Sequence, residues 1–316
     1  MLTVVVDAIL PVFALIFLGY VCARTDLLGE AAFEVLNRLV LRLSLPALTF
    51  YILAKVAPGD LAAPGMIAAV LGGAASVYAI SFLWDRWLGR PAGDANIIAL
   101  SASYANTAFV GIPICLVALG PESLAPAALI TAINASIVFG FGLVMSELLA
   151  SRDETLAHAL ASAGKAVCRN PLILSSVLGV GWSLLRLPLP TALDTFAKTL
   201  GAATAPCALI TIGLFIARAP THEDPLTIGR SLALKLAGQP MATMALLLVI
   251  PGVSAVGGKT AVLLAAMPTA TSSFMLASGF SPTALNACAR VIVLSTALAL
   301  VTLVAMLAFL GHAQSL

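Results

Sequence analysis

Hydrophobic residues form long blocks along this chain, and short polar or turn-forming stretches separate the blocks. A membrane-spanning helix needs about 20 apolar residues, and ten blocks reach roughly that length. Glycine and proline lie between several blocks, as in Pro58-Gly59-Asp60 and Gly120-Pro121-Glu122, which is typical of the turns that join helices. The pattern therefore predicts an all-α polytopic membrane protein with ten spans, at 4–23, 32–54, 65–84, 96–119, 124–148, 168–186, 192–217, 228–250, 259–279 and 283–310.

The amino-acid composition also indicates a membrane protein. Hydrophobic residues make up 61% of the 316 residues and charged residues 9%, whereas a soluble domain carries about 25% charged residues. The net charge of +2 comes without a basic cluster, so no nucleic-acid partner is predicted. The five cysteines lack the spacing of metal ligands, and the three histidines fall in loops or the tail. The sequence therefore predicts no metal, no cofactor and no catalytic site.

Two of the predicted spans, the fourth and the ninth, are interrupted by proline. Proline removes a backbone donor and clashes with the carbonyl four residues back. A broken helix is tolerated in lipid only where protein or a water-filled cavity satisfies the freed backbone groups. Interrupted helices in matching halves of a chain point to a transporter's binding site. Three proline pairs at similar offsets predict such halves: Pro11 and Pro171 (171 − 11 = 160), Pro46 and Pro206 (206 − 46 = 160), and Pro113 and Pro268 (268 − 113 = 155).

The polar stretch 149–167 falls between the fifth and sixth spans, where two halves of five spans each need a linker. The sequence therefore predicts one repeat at 1–148 and a second at 168–316. Because five is odd, the second repeat is inserted upside down, which is inverted-repeat topology. Nine lysines and arginines flank the spans on one side against three on the other. The positive-inside rule then predicts an inner (plasma) membrane protein with both termini on the non-cytoplasmic side.

Six short motifs, taken in order, are similar to those of one protein family. They are Asn37-Arg38-Leu39-Val40, Leu45-Pro46-Ala47-Leu48, the Asn106-Thr107-x-Phe109-x-Gly111-x-Pro113 pattern, Asn170-Pro171-Leu172, Leu234-Lys235-Leu236 with Pro240, and Pro268-Thr269-Ala270. On these motifs the chain resembles the auxin efflux carrier family, which includes the plant PIN auxin exporters and bacterial relatives similar to organic-acid carriers. The resemblance covers essentially the whole chain.

The resemblance implies an architecture that hydrophobic periodicity alone does not give. Spans 1, 2, 6 and 7 would form a scaffold domain that makes a homodimer, and spans 3–5 and 8–10 a transport domain that moves against it like an elevator. The resemblance also implies a secondary transporter of a small organic anion, such as a carboxylate, bound where spans 4 and 9 cross. A sodium-coupled organic-anion symporter of the bile-acid type shares the crossover design and is the alternative. An intramembrane enzyme or receptor is a third interpretation, and the missing catalytic groups argue against the enzyme.

The candidate site residues lie beside the breaks and in three other spans. Half-helix N-termini present N–H groups and a positive dipole end to an anion, and Asn106 and Ser272 add an amide and a hydroxyl there. The alternative is that both side chains satisfy only the local backbone. The candidates for substrate binding are Asn106, Gly111, Pro113, Pro268, Thr271, Ser272, Arg42 and Thr49, and those for a supporting pocket are Lys235, Gln239 and Asn134.

Arg42 is predicted to lie about 15 Å into the second span, at 1.5 Å per residue. A charged group at such depth usually faces a cavity, and Arg42, Pro46 and Thr49 share one helix face at i, i+4 and i+7. The alternative is that the side chain reaches back to the lipid headgroups. In the cavity, Arg42 would favour a dicarboxylate substrate, because a guanidinium binds a carboxylate through two parallel hydrogen bonds.

Lys235 lies in the eighth span, with Gln239 one turn further. The resemblance implies that this lysine lies in a polar pocket beside the crossover, where its fixed charge replaces a coupling cation. Asn134 is a plausible partner in that pocket, since buried amides need hydrogen bonds. Some family members have histidine where this chain has Gln239, and the family often has asparagine at Ser272.

The acidic residues of the predicted spans lie near span ends, at Asp7, Glu34, Glu147 and Asp194. The acidic residue that the resemblance implies in span 3 has no counterpart between Met66 and Leu83. Many cation-coupled carriers need a carboxylate at mid-membrane. Transport is therefore predicted not to require sodium.

Overall fold

The computed structural model describes residues 2–58, 63–150, 164, 169, 171–218, 224–281 and 283–312. The regular elements in these ranges are all helices, so the predicted all-α class is confirmed for them. In chain order the helices are α1 (Leu2–Arg24), α2 (Ala32–Lys55), α3 (Pro64–Trp87), α4 (Ala92–Ser103), α5 (Thr107–Leu119), α6 (Pro121–Ala150), α7 (Pro171–Leu185), α8 (Thr191–Ala202), α9 (Thr204–Arg218), α10 (Pro225–Val249), α11 (Ala255–Ala265), α12 (Ser272–Phe280) and α13 (Leu285–His312).

Among the described residues, five helical runs are long and apolar enough to cross a membrane: α2, α3, α6, α10, and α8 together with α9 (Thr191–Ala217). A sixth run is α13, if its two parts, which bend by 51°, count as one span. The other predicted spans fall on helices of which the fully described apolar part is shorter, such as Phe13–Arg24 and Thr107–Leu119, so the number of ten spans stays a prediction. The predicted linker 149–167 lies almost entirely outside the described residues.

The chain divides into two compact units. The first unit comprises Met1–Ala63, Ala108–Ala132 and Arg169–Arg218, and the second comprises Pro64–Thr107, Ile133–Cys168 and Ala219–Leu316. Two of the boundaries fall inside helices, directly after the first residue of α5 and within α6. This division follows contacts in space, whereas the repeats predicted at 1–148 and 168–316 follow sequence order, so the repeats remain a prediction.

In the first unit, α1 and α9 cross with their backbones in direct contact. A Cβ atom added at Gly213 of α9 would lie 2.0 Å from the carbonyl oxygen of Ile16 and 2.6 Å from the backbone nitrogen of Tyr20. A Cβ atom at Gly19 of α1 would lie 2.1 Å from the carbonyl oxygen of Ile210. Small residues allow such close helix packing in membrane proteins. These two glycines therefore fix the α1–α9 crossing.

We expect Gly213→Ala to destabilise the protein strongly, because the new methyl group meets rigid backbone atoms. Overpacking usually costs about 1–3 kcal/mol, and a clash with backbone lies at or above the upper end. The measurement is the melting temperature of purified protein in detergent. Gly181→Ala in α7 is the matched control, since nothing lies within 4 Å of its added Cβ. Equal melting temperatures for the two variants would contradict the proposed crossing.

Four π-turns widen the described helices, and three of them end two residues before a proline. They are Val40–Ser44 before Pro46, Thr107–Gly111 before Pro113, and Leu234–Gly238 before Pro240. Proline cannot donate to the carbonyl four residues back, and its ring clashes with that carbonyl. A wider turn just before the proline relieves this conflict while the chain stays helical. The prolines therefore shape these helices without interrupting them.

In the second unit, α3 packs closely against α10. A Cβ atom at Gly73 would lie 2.3 Å from the Thr243 Oγ1 atom, and one at Gly72 would lie 2.6 Å from the Leu246 side chain. Both glycines are on α3, and both contacts are with the half of α10 that follows its π-turn. This packing fixes the half of α10 that begins at Gln239, directly after the π-turn that carries Lys235.

Candidate functional site

Two short non-helical segments of the second unit each separate a pair of consecutive helices. The first segment is Tyr104–Asn106, between α4 and α5, and the second is Ala266–Thr271, between α11 and α12. These segments lie within the predicted fourth and ninth spans. The interruptions predicted in both spans are therefore present.

The two non-helical segments pair with each other as a short antiparallel bridge between Ala105 and Thr269. The Asn106 N–H donates to the Pro268 carbonyl at 2.7 Å, and the Ala270 N–H donates to the Tyr104 carbonyl at 3.0 Å. Buried backbone groups must find partners, and here each break satisfies groups that the other break frees. We call residues 104–106 and 268–270 the crossover.

The first break is not caused by Pro113, contrary to the sequence prediction. Pro113 lies in the first turn of the regular helix that follows the π-turn Thr107–Gly111, where its missing N–H is tolerated. The helix ends earlier, at Tyr104, whose backbone is extended, with φ of −94° and ψ of 104°. Pro268, in contrast, lies inside the second break. The residues that pair in space are Ala105 and Thr269, whereas the correspondence of Pro113 with Pro268 between two repeats stays a prediction.

Polar side chains from α6 and α13 hold the two paired residues of the crossover. Asn134 Nδ2 donates to the Ala105 carbonyl at 2.8 Å, and Ser295 Oγ accepts from the Thr269 N–H at 3.0 Å. The Thr269 hydroxyl also donates to the Ser101 carbonyl at 2.7 Å. Sequence reasoning named Asn134 but missed Ser295. Its offset from Asn134 (295 − 134 = 161) is close to that of two proline pairs and was the signal that could have found it.

Lys235 and Gln239 bond the C-terminal ends of both interrupted helices. Lys235 is fully buried, and its Nζ donates to Gln239 Oε1 at 2.5 Å and to the carbonyl of Ala265, the last residue of α11, at 2.9 Å. Gln239 Nε2 donates to the carbonyl of Ser103, the last residue of α4, at 2.8 Å. The last carbonyls of a helix lack partners within it and carry partial negative charge. A buried ammonium group therefore lies where that negative charge is concentrated.

The N-terminal ends of α5 and α12 begin at the opposite side of the breaks. Asn106, directly before α5, is 3% exposed. Thr271 precedes α12 as its N-cap residue but makes no capping hydrogen bond with its side chain. Ser272 follows, and its hydroxyl is in hydrogen-bond contact with the Tyr104 hydroxyl. The structure thus brings Asn106, Pro268, Thr271 and Ser272 into one region, and their role in substrate binding stays a prediction.

The remaining candidates, Arg42, Thr49, Gly111 and Pro113, belong to the first unit. Thr49 is buried and donates its hydroxyl to the Leu45 carbonyl at 2.9 Å. Arg42 is exposed and lies inside the π-turn Val40–Ser44. The prediction that Arg42 and Thr49 share one face assumed a regular helix, and the wider turn alters that spacing. The role of Arg42 stays a prediction.

A cluster of ion pairs, which the sequence analysis missed, lies at one end of the second unit. Asp85 is fully buried near the end of α3 and bonds Arg230 at 2.5 Å and Arg90 at 3.2 Å. Arg90 also pairs with Asp224 at 3.3 Å. Hydrogen bonds from the Thr227 hydroxyl and the Leu226 N–H hold the pKa of Asp224 below its usual value. Asp85 was missed because it lies just beyond the predicted third span.

A comparison with protein families matches residues 4–307 to the model of the family described as "Membrane transport protein". That match covers nearly the whole chain. The chain belongs to this family, the auxin efflux carriers. It is therefore a membrane transport protein, and the resemblance on which the sequence analysis relied is confirmed.

Individual relatives of this auxin efflux carrier family member also carry transporter names. A Rhizobium meliloti protein named "Putative malonate transporter" is 31% identical over 270 residues, which cover 85% of this chain and 84% of the relative. The Escherichia coli K12 protein named "Uncharacterized transporter YfdV" is 25% identical over 293 residues, covering 89% and 90%. A Methanothermobacter thermautotrophicus protein named "Uncharacterized transporter" is 27% identical over 211 residues, covering 66% and 67%. The alternative of a bile-acid type symporter gains no support from these matches.

Proposed function

We propose that this carrier moves a small organic dianion, of the size of malonate, across the membrane and binds it at the crossover. The observation that carries the proposal is the bridge between Ala105 and Thr269, which brings the starts of α5 and α12 to one place. The name of the Rhizobium meliloti relative supports a dicarboxylate as the substrate class.

The geometry of the crossover suits an anion for an electrostatic reason. The N-terminus of a helix carries partial positive charge and N–H groups that point along its axis. In transporters, half-helix N-termini of this kind face the anionic groups of the substrate. In the proposed site, the Asn106 amide and the Ser272 hydroxyl add hydrogen bonds to the carboxylates.

The coupling ion is replaced, in our proposal, by the ammonium group of Lys235. Transporters with broken helices commonly coordinate sodium with unwound carbonyls and half-helix C-terminal ends. In this protein the carbonyls of Ala265 and Ser103, at two such ends, already accept from Lys235 and Gln239. The Ser101 carbonyl accepts from Thr269. The Lys235 side chain then has the role at the crossover that a transported cation has in other carriers.

The same proposal includes the wider architecture that the family resemblance implies. The chain would form ten spans in two inverted repeats in the inner membrane, with both termini on the non-cytoplasmic side. A transport domain would move like an elevator against a scaffold domain that forms a homodimer. Inverted repeats and a substrate site at the repeat interface are common among secondary transporters.

We expect the rate of dicarboxylate uptake to be the same in sodium and in choline buffers. The physical reason is the Lys235 ammonium group, which already neutralises the helix ends where sodium would bind. The measurement is uptake into proteoliposomes at fixed pH, with sodium chloride replaced by choline chloride, and the two rates should agree within about twofold. A steep rise of the rate with sodium concentration would contradict this expectation.

The proposed substrate class is tested by ligand-induced stabilisation of the purified carrier. A ligand that binds only the folded state stabilises it by about 2.7 kcal/mol at one hundred times its Kd. Malonate and dicarboxylates longer by one or two carbons should raise the melting temperature, and acetate, with one carboxylate, should not. Stabilisation by acetate equal to that by malonate would contradict a dianion site. No stabilisation by any organic acid would contradict an organic-anion carrier.

A further inference from the structure

A groove runs along the second unit between α3 and the later part of α6. Its volume is about 570 Å³, and its lining includes Leu71, Ala75, Tyr78, Phe82, Phe141 and Met145. The residues that line it carry no charge. Both helices are long and apolar enough to cross a membrane. A groove between two spanning helices would lie at the depth of the lipid hydrocarbon.

The floor and walls of the groove suit one extended hydrocarbon chain. Ala75 and Ala79 are exposed and leave the floor open. The Tyr78 and Phe141 rings meet edge to face at 5.1 Å, and the Tyr78 and Phe82 rings stack at 5.9 Å. Aromatic rings offer large apolar contact surfaces. The groove is therefore apolar along its length and has aromatic side chains as walls.

The length of the groove matches one leaflet of a bilayer. From Leu71 to Leu83 the helix advances twelve residues (83 − 71), which is about 18 Å at 1.5 Å per residue. One half of a hydrocarbon core is about 15 Å thick. Arg86 follows Leu83 by three residues, so it continues the same helix face, and it is exposed. Trp87, 82% exposed, follows, as expected for a residue at the headgroup level.

Arg86 has guanidinium N–H groups to offer at this end of the groove. It donates through Nη1 to the Arg90 carbonyl, and a guanidinium carries five N–H donors in total. The neighbouring arginines Arg90 and Arg230 are each paired with Asp85 or Asp224. Among the described residues of this cluster, the three arginines stand against the two carboxylates of Asp85 and Asp224, and neither of these carboxylates forms an ion pair with Arg86.

We propose that this groove binds one acyl chain of an anionic phospholipid, with the lipid phosphate held by Arg86. The site is separate from the crossover, so the inference does not rest on the proposed substrate. The Tyr78 hydroxyl donates to Asn96 Oδ1 at 2.5 Å, and Asn96 Nδ2 donates to Ser146 Oγ at 2.8 Å. An acyl chain in the groove packs against the Tyr78 ring, whose hydroxyl links α3 to α4 directly and to α6 through Asn96. Because α4 ends at the crossover, bound lipid stabilises a helix that supports the crossover.

The test is native mass spectrometry of delipidated carrier titrated with phosphatidylglycerol. The double variant Ala75→Phe with Ala79→Phe fills the floor of the groove and should weaken lipid binding about tenfold or more. Ile80→Phe is the matched control, because Ile80 is exposed on α3 but does not line the groove. Arg86→Gln should remove the preference for phosphatidylglycerol over diacylglycerol with the same chains. Inorganic phosphate should not displace the lipid.

Three results would overturn the proposal. Unchanged lipid binding by the groove-filled variant, with a melting temperature close to that of the wild type, would show that the chain lies elsewhere. An unchanged headgroup preference in Arg86→Gln, an exposed substitution that leaves the groove intact, would remove the phosphate contact. Displacement of the lipid by inorganic phosphate would show a free-anion site instead of a lipid site.

Discussion

Replacing Lys235 with methionine is expected to abolish transport and to lower the melting temperature of the protein. Methionine keeps most of the side-chain length but cannot donate to Gln239 Oε1 or to the Ala265 carbonyl. A buried polar group that loses its hydrogen-bond partner costs about 1–3 kcal/mol. In this variant both acceptors lose their donor, the Lys235 ammonium group. The charge that offsets the C-terminal end of α11 is lost as well.

The Lys235→Met variant is compared with Lys198→Met and Lys235→Arg. Lys198 is an exposed lysine of α8, and a surface substitution of this kind usually changes stability by less than about 0.5 kcal/mol. Arginine at 235 keeps the charge but has a planar head of different shape, so it should restore activity only in part. Wild-type transport by Lys235→Met would remove the lysine from the mechanism. Transport that appears in Lys235→Met only when sodium is added would support the replacement of a coupling cation.

Replacing Asn106 with alanine is expected to weaken dicarboxylate binding while the protein still folds. A hydrogen bond to a charged group contributes about 1.5–3 kcal/mol, so Kd should rise roughly tenfold to a hundredfold. Asn106→Asp should weaken binding further, because a carboxylate at the same place repels the anion. The measurement is isothermal titration calorimetry with the best dicarboxylate.

The control for Asn106 is Asn286→Ala, which removes an amide from an exposed position of α13. Its Kd should equal that of the wild type. Asn106→Ala without ligand should still unfold cooperatively on heating, since the bridge to Pro268 uses the Asn106 backbone and not its side chain. An unchanged Kd in both Asn106 variants would exclude the amide from the substrate site.

Much of the helical framework follows from hydrophobic periodicity, whereas the location of the first break does not. Helix formation in lipid depends on apolar length and internal hydrogen bonding, and both are visible in a sequence. The sequence analysis assigned the first break to Pro113, but this proline follows a π-turn and does not interrupt the helix. Whether a proline breaks a helix or follows a widened turn depends on tertiary packing, which a single sequence does not show.

The sequence analysis named the residues of the supporting pocket, but not the hydrogen bonds that they make. Lys235 and Gln239 were named with the help of the family resemblance, and Asn134 as a buried amide that needs a partner. All three bond backbone at or beside the two breaks. That Lys235 bonds the end of α11 and Gln239 the end of α4 depends on contacts between residues 30 and 136 positions apart. Asp85 was missed because it lies just beyond the predicted third span, and Ser295 because a serine within an apolar block gives no signal of its own.

The most direct measurement of the central claim is malonate counterflow in proteoliposomes. Vesicles loaded with unlabelled malonate are diluted into trace labelled malonate, so the result does not depend on the direction of transport in the cell. We predict transient accumulation of label with wild-type carrier, equal in sodium and choline buffers, and none with Asn106→Asp. Accumulation no faster than in protein-free liposomes, for malonate and for its longer dicarboxylate homologues, would contradict a dicarboxylate carrier.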